Sequence, residues 1–276
     1  MTVADALARA TSRITPFDAR ILLEEACGLT GAHFLAHPET ELESPIAERF
    51  DGMVARREHG EPVAYITGHA GFYGRTFSVD RRVLVPRPET EHLIEAVLDY
   101  VRGLPVPLVR VADIGTGSGA IAISLAAEDE RIEVVATDVS AEALAVAGDN
   151  AHRLGVAQRV AFAHGDLLEP LRGLGCFDVV VANLPYVPSA DVPAVPHPVG
   201  YEPRVAVDGG ADGLVLYRKL LDGAGPVIGP GGALFLEAAP GTIDALAEAA
   251  ESVFPDAGIE IGCDYGGLER YVAVIF

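Results

Sequence analysis

Asn183-Leu184-Pro185-Tyr186 follows directly on an apolar run, Phe177 to Ala182, that reads as a buried strand. An asparagine carbonyl can accept a hydrogen bond from a planar nitrogen whose lone pair is delocalised. It can then orient that nitrogen and steady the positive charge that develops as it attacks a methyl group. The backbone carbonyl of Leu184 is placed to take a second N–H, Pro185 stiffens the turn, and Tyr186 offers a flat face to a planar group. The chemistry implied is methylation of an amide or aryl nitrogen, driven by orientation and proximity without a general base of unusual pKa. The plainer reading is a turn cap at Asn183 with Tyr186 filling core.

Two further stretches favour the chemical reading. Val111-Ala112-Asp113-Ile114-Gly115-Thr116-Gly117-Ser118-Gly119-Ala120 is an apolar strand running into a glycine-rich turn and then a helix. The glycines let the backbone turn sharply and approach a ligand, with the helix N-terminus behind them. Asp113 is placed either to orient that turn or to reach the ammonium group of a bound methyl donor. Glu133 to Asp138 is a second strand ending in an acid, about 20 residues past the glycines, where a carboxylate holds ribose hydroxyls. Acids at strand ends also serve as helix N-caps, but Ser140 is there to do that. Asp166, in His164-Gly165-Asp166-Leu167, either approaches an adenine edge or makes a turn.

A further candidate is Arg87, held between Pro86 and Pro88, a rigid arrangement that can aim a side chain into a cleft. Glu89 and Glu91 complement the positive end of the helix that Pro88 is expected to open.

The elements that must position these residues alternate. Strands are predicted at 108–114, 133–137, 158–163, 177–182, 232–237, 258–263 and 269–275, and helices at 88–101, 119–128, 140–154, 213–223 and 241–253. That is a doubly wound α/β domain, a seven-stranded Rossmann-like sheet whose last two strands form an antiparallel hairpin. Ligands in such sheets sit beyond the carboxyl ends of the strands, so one cleft is expected to collect Gly115, Asp138, Asp166 and Asn183. Residues 187–212 form a loop longer than a connector needs, and Tyr201-Glu202-Pro203-Arg204 within it is expected to cover the cleft as a lid.

Ahead of this domain, residues 1–70 read as a small helical bundle. Thr15-Pro16 and Ser44-Pro45 look like helix starts, and Gly28 and Gly60 like stops. Residues 71–87, around Gly74 and Asp80, alternate as a β-hairpin expected to join the bundle to the domain at 88–276, with Val83-Leu84-Val85 as further extended chain.

Composition excludes several classes. The net charge of -20 repels phosphate backbones, so nucleic acid is disfavoured as a partner. Cys27, Cys176 and Cys263 show neither disulfide nor zinc spacing, which fits a reducing cytoplasm, and no metal site is expected. Neither a signal peptide nor a membrane-spanning segment is evident.

With these residues in hand, the chain resembles the protein-(glutamine-N5) methyltransferases that modify peptide-chain release factors, nearly from end to end. The resemblance is carried by Val83-Leu84-Val85-Pro86-Arg87-Pro88-Glu89-Thr90-Glu91, Asp113 to Gly119, Asn183 to Tyr186, Tyr201-Glu202-Pro203, Gly209 to Leu214 and Asp264 to Arg270. It implies a class I methyltransferase fold, S-adenosylmethionine as donor, and the glutamine of a class I release factor's Gly-Gly-Gln loop as acceptor. It further implies that Gly115, Thr116, Gly117, Ser118, Gly119, Asp138 and Asn183 contact the donor, with Asp113, Asp166 and Leu167 beside them. Asn183, Leu184, Pro185 and Tyr186 would hold the glutamine, with Arg87 and Glu89 near it, and the helical bundle would grip the release factor. Asn183, Pro185 and Tyr186 are the implied catalytic set. In two places the chain departs from the family pattern. Leu184 replaces the first proline of Asn-Pro-Pro-Tyr, giving a form common in ribosomal RNA adenine dimethyltransferases. Leu167 takes a position often held by an aromatic residue. The backbone carbonyl survives the first change, so amide methylation remains the expectation. The alternatives are an adenine-N6 methyltransferase acting on nucleic acid, a nicotinamide-dependent oxidoreductase and a binding paralogue without activity.

Overall fold

A computed structural model describes residues 1–276, the Leu35 side chain excepted. The chain forms two compact units, one of residues Met1–His69 with Pro193–Tyr201, the other of Ala70–Val192 with Glu202–Phe276.

The first unit is built from α1 (Val3–Thr11), α2 (Pro16–Cys27), α3 (Gly31–Ala36), α4 (Ser44–Glu58) and α5 (Val63–Thr67). Thr15 caps α2 by accepting the Asp18 N–H, with Pro16 in the first turn, and Gly28 ends it in the left-handed conformation. The start of α4 differs from expectation: Glu43 is the cap residue and Ser44 already lies in the helix, with no side-chain cap bond. Leu22, Leu23, Phe50 and Val54 pack with Val3 and Ala19 as the core of this unit. The segment 193–201 belongs here because Gly60 lets it in. A Cβ at Gly60 would lie 1.6 Å from the Pro196 carbonyl oxygen, and the Tyr201 hydroxyl donates to the His59 carbonyl at 2.6 Å.

A two-stranded hairpin follows, β1 (His69–Phe72) and β2 (Arg75–Ser78), which from Ala70 on belongs to the second unit. Val83-Leu84-Val85 is not a strand, and α6 (Thr90–Gly103) begins two residues later than Pro88, after a turn in which Arg87 and Pro88 accept the N–H groups of Thr90 and Glu91. Then come β3 (Val109–Ile114), α7 (Ala120–Glu128), β4 (Ile132–Asp138), α8 (Ala141–Arg153), β5 (Val160–His164), β6 (Phe177–Ala182), α9 (Val215–Ala224), β7 (Ile228–Glu237), α10 (Ile243–Val253), β8 (Gly258–Cys263) and β9 (Glu269–Ile275). The main sheet has the order β5-β4-β3-β6-β7-β9-β8, parallel from β5 to β7 and antiparallel at β9 and β8. Successive side chains of a strand face opposite ways. Ala112, Ile114, Val180, Ala182, Leu234 and Leu236 accordingly meet α9 and α10 through Leu220, Leu221 and Leu246. On the opposite face Phe235 meets Tyr100 of α6 edge-on, with ring centroids 5.8 Å apart. β7 is four residues longer than expected because Ile228 pairs with Phe177 ahead of a register shift. Among the described residues, no helix is long and apolar enough to cross a membrane.

Candidate active site

Register fixes which residues leave the sheet together. Ile114 pairs with Thr137 on one side and Ala182 on the other, and Ala182 pairs with Leu236. One step further along each strand stand Asp138, Gly115, Asn183 and Glu237, a row of chemistry-bearing positions at the carboxyl edge. A cavity of about 340 Å³ opens there, lined among others by Arg87, Thr90, Gly115, Thr116, Gly117, Ser118, Asp138, Asp166, Leu167, Asn183, Leu184 and Pro185. The four residues expected to share a cleft therefore do line one.

The turn after β3 is held mainly by backbone. Gly115 and Gly117 sit at φ +74 and +56, where a side chain is strained. The Gly115 and Thr116 N–H groups both donate to the Thr137 carbonyl at 2.9 Å, and Gly117 donates to Asp138 Oδ2 at 2.9 Å. Asp138 Oδ1 accepts from Ser140 N–H at 2.8 Å, while Ser140, not Asp138, caps α8. Burial raises the Asp138 pKa above the ordinary value. Asp138 lines the cavity, and each of its oxygens has one bonded donor for two acceptor sites. Asn150 on α8, a residue that sequence reading passed over, is fully buried. It donates to the Ser118 carbonyl at 2.9 Å and exchanges two bonds with the backbone of Ser78, tying the turn to the end of β2.

Four expected site residues do not line the cavity. Asp113 lies fully buried beneath the turn, where its Oδ2 accepts from the Thr116 hydroxyl at 2.6 Å and the Ala122 N–H at 3.2 Å. These bonds are the ones the orienting role calls for, and burial pushes the Asp113 pKa up to about 7. Gly119 faces α8, and a Cβ there would lie 2.7 Å from Ile123 Cδ1 and 3.2 Å from Ala147 Cβ. Glu89 stands half-buried at the start of α6 without a capping bond. Tyr186 packs partly buried against the core on the α9 side, and that burial raises its pKa.

The turn after β6 is held by side chains from elsewhere. Asn183 Nδ2 donates to Thr90 Oγ1, at the start of α6, at 3.0 Å. The hydroxyl of fully buried Tyr217 accepts the Leu184 N–H at 3.1 Å and lies 3.0 Å from the Leu184 carbonyl oxygen, close also to that of Glu237. The single Tyr217 proton can serve only one of those two carbonyls, so the Leu184 carbonyl, expected to serve the acceptor, keeps at least one of its two lone pairs. Its side chain is 3% exposed and packs in the core, 3.0 Å from where a Gly115 Cβ would stand. The 209–213 stretch lies against this turn so closely that a Cβ on Gly213 would sit 2.3 Å from the Tyr186 carbonyl oxygen.

Arg87 borders the cavity with its guanidinium 2.5 Å from Glu202 Oε2, and Glu202 Oε1 accepts the Val85 N–H at 3.1 Å. The expected lid is thus divided. Tyr201 belongs to the helical unit, Glu202 is buried beneath Arg87, and Pro203, Val205 and Ala206 border the cavity. Asp166 pairs with Lys219, and Leu167 adopts φ +49 with its carbonyl accepting the Thr137 hydroxyl at 3.0 Å. Sequence reading also missed Thr90, Tyr217 and Glu237. Glu237 had a usable signal, since it ends an apolar strand just as Asp138 does.

A family model described as the PrmC N-terminal domain matches residues 2–68, and one described as the methyltransferase small domain matches residues 97–195. The chain is 44% identical to the release factor glutamine methyltransferase of Moorella thermoacetica, across 98% of this chain and 97% of that one. It is 39% identical to the enzyme of the same name from Bordetella pertussis, across 92% of each. Among solved structures, the T. thermophilus 16S rRNA N2 G1207 methyltransferase in complex with AdoMet and guanosine is similar, with a TM-score of 0.55. It is 18% identical and covers 75% of this chain and 49% of that one, a likeness of fold.

Proposed function

We propose, since this chain belongs to the release factor glutamine methyltransferase family, that it methylates the side-chain amide nitrogen of a release-factor glutamine, that of the Gly-Gly-Gln loop of class I factors, with S-adenosylmethionine as donor. The observation that carries this reading is the Asn183 amide. Its nitrogen is engaged with Thr90, which leaves Oδ1 as the group available to an N–H in the cavity.

The residues present fit the donor. Asp138 is a half-buried carboxylate with spare acceptor sites for ribose hydroxyls, beside a glycine turn whose backbone can approach a ligand closely. Ile121, Val139 and Leu167 give that end of the cavity apolar wall. When bound, the donor supplies an electrophilic sulfonium methyl. Asn183 Oδ1 accepts one N–H of the glutamine amide and the Leu184 carbonyl, through its second lone pair, the other. Together they aim the nitrogen and stabilise the charge that grows on it. The Leu184 side chain points into the core, so exchanging proline for leucine changes packing behind the turn rather than the surface an acceptor meets. The net charge of -20 also favours a protein acceptor over RNA. We assign the grip on the release factor to the helical unit, in line with its PrmC N-terminal domain match, and the setting to the cytoplasm.

The test is transfer from labelled donor with purified release factor and ribosomal RNA offered side by side. Label is expected on the Gly-Gly-Gln glutamine, and Asn183→Ala is expected to lower its rate by about 10²–10³-fold, as for loss of one preorganised charge-stabilising group. Label in RNA alone would overturn the assignment of the acceptor.

A further inference from the structure

Behind Asn183 stands a group that the reading above does not use. Because β6 and β7 are neighbours with Ala182 opposite Leu236, Asn183 and Glu237 leave the sheet side by side. Glu237 is 3% exposed, with Oε2 unpartnered among the described residues, and its carboxylate lies near enough to the side chains of Thr90 and Asn183 for both to favour its charged form. Its main-chain carbonyl lies against the Tyr217 hydroxyl, which also holds Leu184. One residue is thus tied to both halves of the Asn183-Leu184 pair.

Donor counting shows what the side chain does. An asparagine amide has two N–H donors and a threonine hydroxyl has one. Thr90 Oγ1 takes one Asn183 hydrogen, which leaves the second Asn183 hydrogen and the Thr90 hydroxyl proton for the neighbouring carboxylate. Both Asn183 donors are then spent, and only Oδ1 remains to face the cavity. In the flipped amide Oδ1 would oppose a carboxylate, two acceptors with no proton between them. Burying a carboxylate is costly, and an apolar residue of similar size would fill the space at less expense.

We propose that Glu237 is a positioning residue for methyl transfer, fixing through Thr90 and Asn183 the amide orientation that presents Asn183 Oδ1 to the acceptor nitrogen. The proposal rests on the role of Asn183 given above. It has a consequence in pH. Burial pushes the Glu237 carboxyl up to about 7, with Glu89 raising it and Arg270 lowering it, while Tyr186 and Tyr217 are the other titratable groups facing it. A protonated carboxyl can donate to Oδ1, so acid removes the preference between the two amide orientations.

The experiment compares Glu237→Leu and Glu237→Gln with the wild-type chain, on release factor. Glu237→Leu is expected to lower kcat by at least about tenfold, with KM for release factor and affinity for S-adenosylhomocysteine changed less than about threefold. Glu237→Gln carries a donor beside an acceptor oxygen, as the protonated carboxyl does. It is expected to show at every pH the lowered kcat that wild type is expected to approach below about pH 7, with no further fall as pH drops. Independently of turnover, the Asn183 side-chain amide resonance, assigned through Asn183→Ala, should shift and exchange faster with solvent in Glu237→Leu.

Wild-type kcat in Glu237→Leu, or an unaltered Asn183 resonance, would overturn the proposal. So would an acid limb that persists in Glu237→Gln, and that variant decides the matter should Glu237→Leu fail to fold. If wild-type protein leaves release factor unlabelled, the reading of the acceptor fails, while the resonance still tests Glu237.

Discussion

The turns after β3 and β6 emerge from adjacent strands and line one cavity, yet they are built on opposite principles. The glycine turn is fixed by groups close in the chain: Asp113 binds Thr116 three residues on and Ala122 nine on, and Asp138 binds Gly117 across 21. The Asn183 turn is fixed from afar, by Thr90 at a separation of 93 residues and Tyr217 at 33. A ligand met mainly by backbone calls for the first design, because main-chain N–H groups need only the right φ and ψ. An acceptor whose nitrogen must be aimed calls for the second, because a side-chain amide has two orientations and only its neighbours can choose between them.

The contrast is broken most directly at Tyr217. Tyr217→Phe removes one hydroxyl, and with it the acceptor for the Leu184 N–H and the one proton that the Leu184 and Glu237 carbonyls compete for, all in the core. Stability is expected to fall by roughly 1–3 kcal/mol, the cost of leaving a buried backbone group unmade. Methyl transfer should fall further than donor-analogue affinity, since the glycine turn does not lean on Tyr217. Urea unfolding and calorimetric titration with S-adenosylhomocysteine separate the two effects. Equal losses in both would mean that the turns are one mechanical piece.

The same contrast explains what could be read from sequence. Short-range constructions leave a signature at fixed spacing, so the strand, glycines and helix at 111–122, and the acid at 138, were legible along with the alternation that gave seven strands. Asn183 was legible because proline and tyrosine accompany it. Its supports were not, since nothing local distinguishes Thr90 from a helix-start threonine or Tyr217 from any core tyrosine. Asp113 was legible only as a residue with two possible roles, since its burial and its bonds to Thr116 and Ala122 depend on packing that no local spacing records. The 187–212 loop reads as one segment, yet its middle, Pro193–Tyr201, belongs to the helical unit, where Gly60 admits the backbone at Pro196.

At the glycine turn the expected effect is smaller and shows in pH dependence. Asp113 has a folded pKa of about 7 against an ordinary 3.8, and burial is the main cause. The folded state therefore binds the extra proton between those values. This group's contribution to stability is largest near pH 4, declines as pH rises to about 7, and is flat above. Buried Glu237 acts in the same direction. Surface carboxylates with lowered pKa, such as Asp80 and Asp129, have their effect below about pH 4, outside this window. Asp113→Asn is accordingly expected to narrow the difference in urea midpoint between about pH 5 and about pH 8, leaving the part due to Glu237 and Asp138. An unchanged difference would place the titration elsewhere.

The smallest effect is expected at Lys219, and it sharpens the boundary between the two designs. Asp166 lines the cavity and pairs with Lys219, both side chains being largely exposed at 41% and 58%. If Asp166 belongs to the locally built region, its place is set by backbone. Its carbonyl accepts the Glu169 N–H at 3.0 Å, and the preceding Gly165 N–H donates to the Asp138 carbonyl at 3.0 Å. An exposed ion pair adds little to such a framework. Lys219→Met should then leave the unfolding midpoint unchanged and S-adenosylhomocysteine affinity within about twofold of wild type, while salt should have no greater effect on one protein than on the other. A larger loss of affinity, fading as salt is raised, would mean that the ion pair aims Asp166. This edge of the cavity would then depend on side-chain partners in the way Asn183 does.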